Sequence, residues 1–565
     1  MPVTALPSAM TRERQTPLSR VHSLTLRQLP GRERFALGVI MILALLIRAW
    51  FQHDRLFWGD EIGTLYYIET SPEYLLSHFA PGLTMNYFIL AEKGIAWIFG
   101  ATDWRLTLLP LAGAVATIPL TASLALKFTG SRRTALIAGG LAAFNPFLIY
   151  FGPQIRSYSL LVAFSLLAIN EFFHWYHQRN WWNGVRCGTA VLLLLLAHIN
   201  GVYTVAFLVL LVAIEIVSRG WSGGRKFLWE SRTLWIPFSG AAVLIAVAYW
   251  RLLPDISKIA RVWGTAPPPT SMRYLPELFS SYVGVGYLAF VVAILLLAGV
   301  WSGTQAQRPL LLLCLAIILG PVLMSLQGVS VYGGEPRYLI FLLPLLLILL
   351  AEGIDWLARH VRMRRGAAVA AWGLTALIVL GWTPIVCRQF RTNTAAGVYV
   401  RVANFLHAKL RKGDIVVARW GDGFTLSQFF PTAKSFSQSF SLMPDQYINK
   451  VASRLDTPTG GRVFYVTSPG GLKGRKARIQ DLGQLEVAIY SGDTARALLQ
   501  EWREDLLART AGRIAAPLHN DYQLLALIEE LLPSGQSPDH WRCLAERCAA
   551  PSPTQHSLHP PLLFP

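Results

Sequence analysis

The sequence has few charged residues for its length. Asp, Glu, Lys and Arg make up 15% of the 565 residues, whereas hydrophobic residues make up 53% and the mean hydropathy is +0.41. Soluble domains usually carry about 25% charged residues, so this composition excludes an ordinary soluble protein and indicates a membrane protein. The net charge is +19 and the pI is 9.9. Nucleic acid is nevertheless not expected as a partner, because Lys and Arg collect in short loops between apolar runs.

Several other signals are missing from the sequence. No small-residue cleavage site follows the first apolar run, near Phe35, so we interpret this run as a retained span. There is no P-loop and no dinucleotide fingerprint, since Gly421–Asp422–Gly423 is only a turn signal. No His/Cys cluster has metal-ligand spacing, which leaves metal dependence open. There is also no internal repeat of the kind that many transporters contain.

Long apolar runs recur along the first two thirds of the chain. A spanning helix needs roughly 17–25 mainly apolar residues, and about eleven runs approach that length. A turn at His198–Asn200 separates the fifth run from the sixth. The predicted spans are 35–53, 105–127, 134–151, 157–175, 185–199, 201–218, 234–253, 282–301, 309–327, 338–358 and 367–387.

The loops between these spans differ in charge. KFTGSRR, HQRNWWNGVR, SRGWSGGRKFLWESR, TQAQR and ARHVRMRRG all fall on the side of the N-terminal tail. Because Lys and Arg are enriched in cytoplasmic loops, we predict a multi-pass membrane protein with a cytoplasmic N-terminus. Treating Gly82–Gly100 as another span would reverse every later loop, so we predict a helix in the outer interface there.

The composition predicts four regions. They are a cytoplasmic basic tail (1–34), a transmembrane domain (35–387) with its first outer loop at 54–104, an extracytoplasmic domain (388–548) and a disordered end (549–565). In the third region DIVVARW, RVFYVT and QLEVAIYS alternate with predicted helices. The predicted fold is therefore an α-helical polytopic membrane protein with a C-terminal extracytoplasmic α/β domain.

Ionisable side chains are costly at a membrane and mark candidate functional sites. The predicted outer loops contain a compact set of them: Asp60, Glu61, Arg156, His198, Glu335 and Arg337. Arginine binds phosphate through a planar array of donors, and a carboxylate can take a proton from an attacking hydroxyl or amine. Together they suit a substrate whose phosphate is attached to a lipid.

Each of these residues also has a structural interpretation. Asp60 can cap the helix that starts near it, and Glu61, its neighbour, would face the scaffold because adjacent helical residues do not share a face. His198 lies at a turn, where capping or packing histidines are common. Arg337 can pair with the acid two residues before it, and Arg156 can reach a phospholipid phosphate.

The order of several motifs carries a family resemblance. FWGDEIGTLYYIET, the stretch from LTMNYF to RSYSLL, LLLLLAHINGVY and EPRYLIFLLPLLLILLAEG succeed one another over residues 35–360. This part of the chain resembles the GT-C superfamily, in particular the group of protein O-mannosyltransferases and the lipid A aminoarabinose transferase (glycosyltransferase family 39-like). The resemblance implies transfer of a sugar, with inversion, from a polyprenyl-phosphate carrier to an acceptor at the outer side of the bacterial cytoplasmic (inner) membrane.

The resemblance also implies roles for individual residues. Asp60 matches the catalytic acid of the first outer loop and is the expected general base, with Glu61 as its partner in the motif. Arg156 in IRSY and Arg337 in EPRY match positions near the donor phosphate. Further residues are expected to line the site: Tyr158, His198, Glu335, Tyr338, His78, Asn86 and Lys93.

The sequence departs from the family at one place and leaves the acceptor open. Relatives often carry His or Lys directly before a proline pair, whereas His78 lies three residues before Pro81 here. The expected partners are the membrane, the lipid-linked donor and a lipid, glycan or protein acceptor. The donor is the only small molecule that the resemblance requires, and a divalent metal is compatible with the reaction but not indicated.

Two other functions remain open, and one disulfide is predicted. A transporter or flippase of a lipid-linked sugar would use the same substrate without chemistry, and an envelope-assembly scaffold would need neither the acids nor the arginines. Cys543 and Cys548 would meet an oxidising compartment if the tail is outside. We predict a bridge between them, which requires the helix to end or bend between the two residues.

Overall fold

The computed structural model describes most of the chain up to Lys409 and parts of the chain after it. The described residues are 16, 18–53, 61, 64–65, 67–68, 70–78, 85–100, 103–252, 274–302, 310–311, 314, 336–360, 366–393, 396–409, 415–419, 434–435, 448–452, 463–467, 478–481, 486–490, 497, 500 and 504.

The described part of the chain is mainly helical up to Lys409. Its α-helices are α1 (Gly31–His53), α2 (Pro72–Ser77), α3 (Asn86–Phe99), α4 (Asp103–Leu106), α5 (Leu108–Thr129), α6 (Arg132–Phe144), α7 (Pro146–Phe151), α8 (Tyr158–Gln178), α9 (Trp181–Ala197), α10 (Gly201–Ser218), α11 (Gly220–Glu230), α12 (Arg232–Tyr249), α13 (Tyr274–Val283), α14 (Tyr287–Trp301), α15 (Leu343–His360), α16 (Gly366–Asn393) and α17 (Ala396–Lys409). Short 3-10 helices are found at Leu18–Arg20, Leu26–Gln28, Trp250–Leu252 and Pro336–Leu342.

Seven of the described helical segments are long and apolar enough to cross a membrane. They are Gly31–Gln52, Trp104–Thr129, Tyr158–Gln178, Gly201–Ser218, Arg232–Leu252, Pro336–His360 and Gly366–Phe390. The helices α9 and α14 are apolar but shorter. The turn predicted between the fifth and sixth spans is present between α9 and α10. Most of the predicted span 309–327 lies outside the described residues.

The prediction of one continuous span at 134–151 is wrong. The helix α6 ends before Asn145, and the six-residue α7 begins at Pro146. Proline disfavours helical backbone in the residue before it and has no N–H for the helix ladder. Asn145 is extended, and its side-chain oxygen caps α7 by accepting the N–H of Phe147 at 3.0 Å. The Asn-Pro pair therefore ends one helix and starts the next inside the apolar run.

A buried arginine completes the hydrogen bonding at this break. Arg48, on α1, is 1% exposed. Its guanidinium donates to the carbonyls of Ala143 at 2.9 Å and Ala142 at 3.3 Å. In a continuous helix the carbonyl of Ala142 would accept from Pro146, which has no N–H, and that of Ala143 from Phe147, whose N–H already binds the cap. Arg48 thus supplies donors to two carbonyls that the break leaves without one.

Glycines allow two helices to cross at close range. A Cβ atom on Gly299 of α14 would lie 2.0 Å from the carbonyl oxygen of Leu349, and one on Gly353 of α15 would lie 1.8 Å from that of Leu295. Small residues at a helix interface let the backbones approach in this way. The crossing of α14 and α15 therefore depends on the missing side chains at both positions.

The region predicted as a basic tail folds partly against the helices. Leu18, Val21 and Leu29 are at most 3% exposed and belong to the main hydrophobic core. The Thr16 hydroxyl donates to the carboxylate of Glu215, on α10, at 2.6 Å. The described part of the tail is thus anchored by both apolar packing and a buried hydrogen bond.

Side-chain contacts join helix ends that are distant in the sequence. Ends predicted to lie on the same side of the membrane contact one another. On the predicted outer side the pairs include Tyr249–Leu195, Tyr282–Pro336 and Asn200–Tyr338, and on the predicted inner side Arg133–Asp355, Arg179–Glu230 and Thr16–Glu215.

A second compact unit comprises residues 55–63 and the chain from Arg391 onwards. Its described strands are β1 (Ile415–Arg419), β2 (Lys434–Ser435), β3 (Ile448–Ala452), β4 (Val463–Thr467), β5 (Arg478–Asp481) and β6 (Glu486–Tyr490). They form one sheet in the order β2-β3-β1-β4-β6-β5, in which β1 and β4 are parallel and the other neighbours are antiparallel. Three predicted strands coincide with β1, β4 and β6, and α17 coincides with a predicted helix.

Candidate functional site

Arg156 lies in the non-helical segment that joins α7 to α8. The segment turns sharply after Gly152, where a Cβ atom would lie 2.6 Å from the carbonyl oxygen of Leu148. Arg156 is 4% exposed, two residues before the first residue of α8. Its Nη1 atom donates to the Thr64 hydroxyl at 3.4 Å. The turn after the short helix α7 thus places Arg156 among buried residues directly before α8.

Two tyrosines connect Arg156 to Arg337. The guanidinium carbon of Arg156 lies 5.7 Å from the ring centroid of Tyr158, and that of Arg337 lies 5.2 Å from the ring centroid of Tyr338. The two rings contact each other edge to face, with 6.3 Å between their centroids. The structure thus brings together the arginines of IRSY and EPRY, which are far apart in the sequence. Each arginine therefore makes a cation–π contact with a tyrosine, and the two tyrosine rings contact each other.

The Tyr158 hydroxyl is the most unusual group in this cluster. Tyr158 is 1% exposed, and its hydroxyl oxygen is buried without a hydrogen-bond partner among the described residues. Buried polar groups are normally hydrogen-bonded, and an exception requires an explanation. A ligand that accepts a hydrogen bond beside the two arginines is one such explanation.

His198 lies next to the same tyrosine and is neutral. Its ring centroid is 6.0 Å from that of Tyr158. Burial, and secondly the positive charge of Arg156, lower the pKa of His198 to about 3. Its Nδ1 atom accepts the N–H of Asn200 at 3.1 Å, so the neutral ring carries its proton on Nε2. The side chain of Asn200 in turn donates to the carbonyl of Tyr338, at 3.1 Å.

The predicted site residues of the first outer loop make hydrogen bonds within that loop. Asn86 donates to the carbonyls of Leu75 and His78, both at 2.7 Å. Lys93 donates to the carbonyl of Ile68 at 2.8 Å. These bonds tie α2 and the chain before it to α3. The observed contacts of Asn86 and Lys93 are thus with the loop, and their role towards a ligand stays a prediction.

One acid in this loop was not singled out by the sequence. Glu92, on α3, is completely buried, and neither carboxylate oxygen has a hydrogen-bond partner in the part of the chain that the structure describes. Burial raises the pKa of Glu92 to about 9, so the side chain is protonated at neutral pH. The only signal in the sequence is an acid beside Lys93 in an apolar helix.

Four predicted residues lie outside the described part of the chain. They are Asp60, Glu335, Cys543 and Cys548. Glu61 is described, is completely buried and belongs to the second compact unit. Among the described residues, no group of three or more His, Cys, Asp or Glu side chains is arranged to hold a metal ion.

Comparison with known proteins gives matches among solved structures. No family model and no curated protein matches the sequence. ArnT from Cupriavidus metallidurans bound to undecaprenyl phosphate matches over 81% of this chain and 98% of its own, with a TM-score of 0.50 and 14% identity. The chain has the GT-C fold. AglB from Archaeoglobus fulgidus matches over 73% of this chain and 62% of its own, with a TM-score of 0.42 and 14% identity.

The prediction of a polytopic, mainly α-helical GT-C fold is thereby confirmed. This chain is a polytopic, mainly α-helical membrane protein of GT-C type. At 14% identity the likeness concerns the fold, so the chemistry has to be argued from the residues of this chain.

Proposed function

We propose that this GT-C protein is an inverting glycosyltransferase that takes a sugar from a polyprenyl-phosphate carrier at the outer face of the cytoplasmic membrane. The observation that carries the proposal is the convergence of Arg156 and Arg337 on the Tyr158–Tyr338 pair. The fold supports it, because ArnT, with which the chain shares that fold, has been solved with undecaprenyl phosphate bound.

The Arg156 and Arg337 cluster has the properties expected of a phosphate site. Within it lie two guanidinium groups and the Tyr158 hydroxyl, which has no hydrogen-bond partner in the described part of the chain. Because His198 is neutral, the two guanidinium groups carry the positive charge of the cluster. Arginine binds a phosphate through parallel hydrogen bonds. The first turn of α8 follows Arg156 directly, and the N-terminus of a helix favours an anion.

The location of the cluster supports a lipid-linked donor. Arg156 precedes α8 and Arg337 belongs to the 3-10 helix before α15, so both lie at the ends of membrane-spanning segments. The charge of the loops predicts that these ends are on the outer side. A carrier whose lipid stays in the bilayer presents its phosphate and sugar at this level.

The proposed reaction uses these groups and Asp60, the predicted base of the first outer loop. An acceptor hydroxyl or amine attacks the anomeric carbon opposite the phosphate, Asp60 takes its proton, and the bond from carbon to phosphate oxygen breaks with inversion. The leaving phosphate keeps the electron pair, and the two arginines stabilise its charge. Because phosphate is a good leaving group, the mechanism needs no general acid.

Substitution of the arginines tests the phosphate site. Arg156→Ala and Arg337→Ala should each lower kcat/KM for the donor about 10–100-fold, since a hydrogen bond to a charged group contributes roughly 1.5–3 kcal/mol. Lysine at either position should restore only part of the loss, because it lacks the planar fork. Tyr158→Phe should lower donor use about tenfold. Tyr287→Phe is the matched control, because Tyr287 is 92% exposed.

Substitution of Asp60 tests the base. Asp60→Asn keeps the size of the side chain but cannot accept the proton, so the purified protein should be folded and inactive. Donor binding should persist, because the arginines are intact. Near-normal turnover of this variant would remove Asp60 from the mechanism while leaving the phosphate site in place.

A further inference from the structure

The helix α11 has one face packed on the protein and one face exposed. On the packed face Phe227 is 1% exposed and lies under the guanidinium groups of Arg219 and Arg179, at 4.7 and 5.0 Å. Gly224 allows a close approach to α10, because a Cβ atom there would lie 2.9 Å from the carbonyl oxygen of Ile216. This face fixes the orientation of α11 and therefore determines which side chains point away.

The exposed face carries large apolar side chains together with cations. Trp221 is 92% exposed and Trp229 is 71% exposed. Arg225 is exposed between them at helical spacing, and the guanidinium of Arg232, at the start of α12, lies 5.4 Å from the ring of Trp229. The side chain of Lys226 beside them is 79% exposed. This set of five residues is called here the tryptophan–arginine face.

The charge of this face is largely uncompensated. The nearest acid on α11, Glu230, binds Arg179 at 2.6 Å and Lys226 at 3.9 Å. Neither Arg225 nor Arg232 makes an ion pair among the residues that the structure describes. An apolar partner surface would leave these charges unpaired, whereas an anionic one would neutralise them.

The position of the face in the chain indicates what covers it. The segment joins two membrane-spanning helices, α10 and α12, with no long loop between them, so it lies at the membrane surface. Tryptophan prefers the interfacial region of a bilayer, where its ring is among lipids and its N–H is near water. The loop charges assign this side to the cytoplasm, where the leaflet carries anionic lipids.

We propose that the tryptophan–arginine face is a binding surface for anionic phospholipids of the cytoplasmic leaflet. Trp221 and Trp229 insert between the lipids, and Arg225 and Arg232 bind headgroup phosphates, with Lys226 adding positive potential. The surface lies at the predicted inner ends of the spans, away from the Arg156 and Arg337 cluster. It is therefore independent of the proposed transferase activity.

Native mass spectrometry of the full-length protein in a neutral detergent tests the proposal. The probes are phosphatidylglycerol and phosphatidylcholine with identical acyl chains, added in equal amounts. The wild-type protein should retain phosphatidylglycerol in preference to phosphatidylcholine. Arg225→Gln should weaken phosphatidylglycerol binding about fivefold, and the double variant with Arg232→Gln about thirtyfold.

A second pair of arginines gives the matched control. Arg32 and Arg34, at the start of α1, are exposed on the same predicted side. Changing both to glutamine removes the same charge from a stretch without tryptophan, where no indole ring anchors a lipid beside the arginines, and should leave phosphatidylglycerol binding within about twofold of wild type. If the Arg32 and Arg34 variant loses as much phosphatidylglycerol binding as the Arg225 and Arg232 variant, the lipid responds to the overall positive charge and not to the tryptophan–arginine face. That result would overturn the proposal. Equal retention of the two lipids by the wild-type protein would overturn it as well, whether or not any variant folds.

Discussion

Replacing Arg48 by methionine should destabilise the membrane unit while leaving every residue of the candidate site in the sequence unchanged. The change keeps an unbranched apolar stem but removes the donors to the carbonyls of Ala142 and Ala143. A buried polar group left without a partner costs roughly 1–3 kcal/mol, so two such carbonyls predict a loss of roughly 2–6 kcal/mol in the free energy of unfolding. Arg34→Met on the same helix should have little effect, because Arg34 is exposed.

Unfolding of the purified protein in mixed detergent micelles, followed by circular dichroism, measures this loss. A double-mutant cycle with Pro146→Ala tests the cause. Alanine returns an N–H that can bind the carbonyl of Ala142, so Arg48→Met should cost less in that background. An unchanged unfolding midpoint for Arg48→Met, or the same loss with and without Pro146, would refute the assignment of Arg48 to the helix break.

Three further predictions concern other parts of the chain. The pKa of His198 is lowered to about 3 in the folded protein, so on acidification the histidine of the unfolded chain is protonated first. The free energy of unfolding should therefore fall by up to about 1.4 kcal/mol per pH unit as the pH decreases from 6.5 to 3. His198→Asn should remove that part of the acid sensitivity in a comparison of melting temperatures. Gly353→Ala should separate α14 from α15 and lower the melting temperature, whereas Gly373→Ala, where nothing lies within 4 Å of the added Cβ, should be tolerated. Non-reducing mass spectrometry of protein from its native membrane should find Cys543 and Cys548 bridged, and alkylatable thiols at both positions would contradict the bridge.

Local sequence patterns were enough to predict most of the helices and the main strands. Apolar runs of spanning length predict the helices α1, α5, α8 and α10, because inside a bilayer the backbone has to satisfy its own hydrogen bonds and a helix does so. Strands rich in branched residues, such as Ile415–Arg419 and Val463–Thr467, were predictable because branched side chains pack well on a pleated, half-buried sheet surface. The strands Ile448–Ala452 and Arg478–Asp481 were missed, because INKVA and RIQD lack the run of branched apolar residues that marks a strand.

The parts that the sequence did not predict depend on contacts between distant residues. The Asn145–Pro146 pair is a visible break signal, yet its hydrophobic surroundings favoured one continuous span. Arg48 is visible as a charge inside a span, but its partners on α6 become evident only in the fold. The anchoring of Thr16 on Glu215 likewise has no local pattern.

The candidate site was predictable in composition but not in geometry. Motif order identified Arg156 and Arg337, and the structure adds that Tyr158 and Tyr338 join them. The neutral state of His198 follows from its burial, which no local pattern reveals. That the Tyr158 hydroxyl has no hydrogen-bond partner among the described residues also becomes evident only in the three-dimensional packing.

The most direct test of the proposed function measures the fate of the donor. The purified protein is incubated with a panel of polyprenyl-phosphate sugars and lipid, glycan and peptide acceptors, and mass spectrometry follows free polyprenyl phosphate and glycosylated acceptor. We predict that at least one donor releases polyprenyl phosphate in step with product, and that Arg156→Ala and Arg337→Ala suppress both. Movement of intact donor across proteoliposome membranes, with no release of polyprenyl phosphate from any donor, would contradict the transferase and favour a transporter.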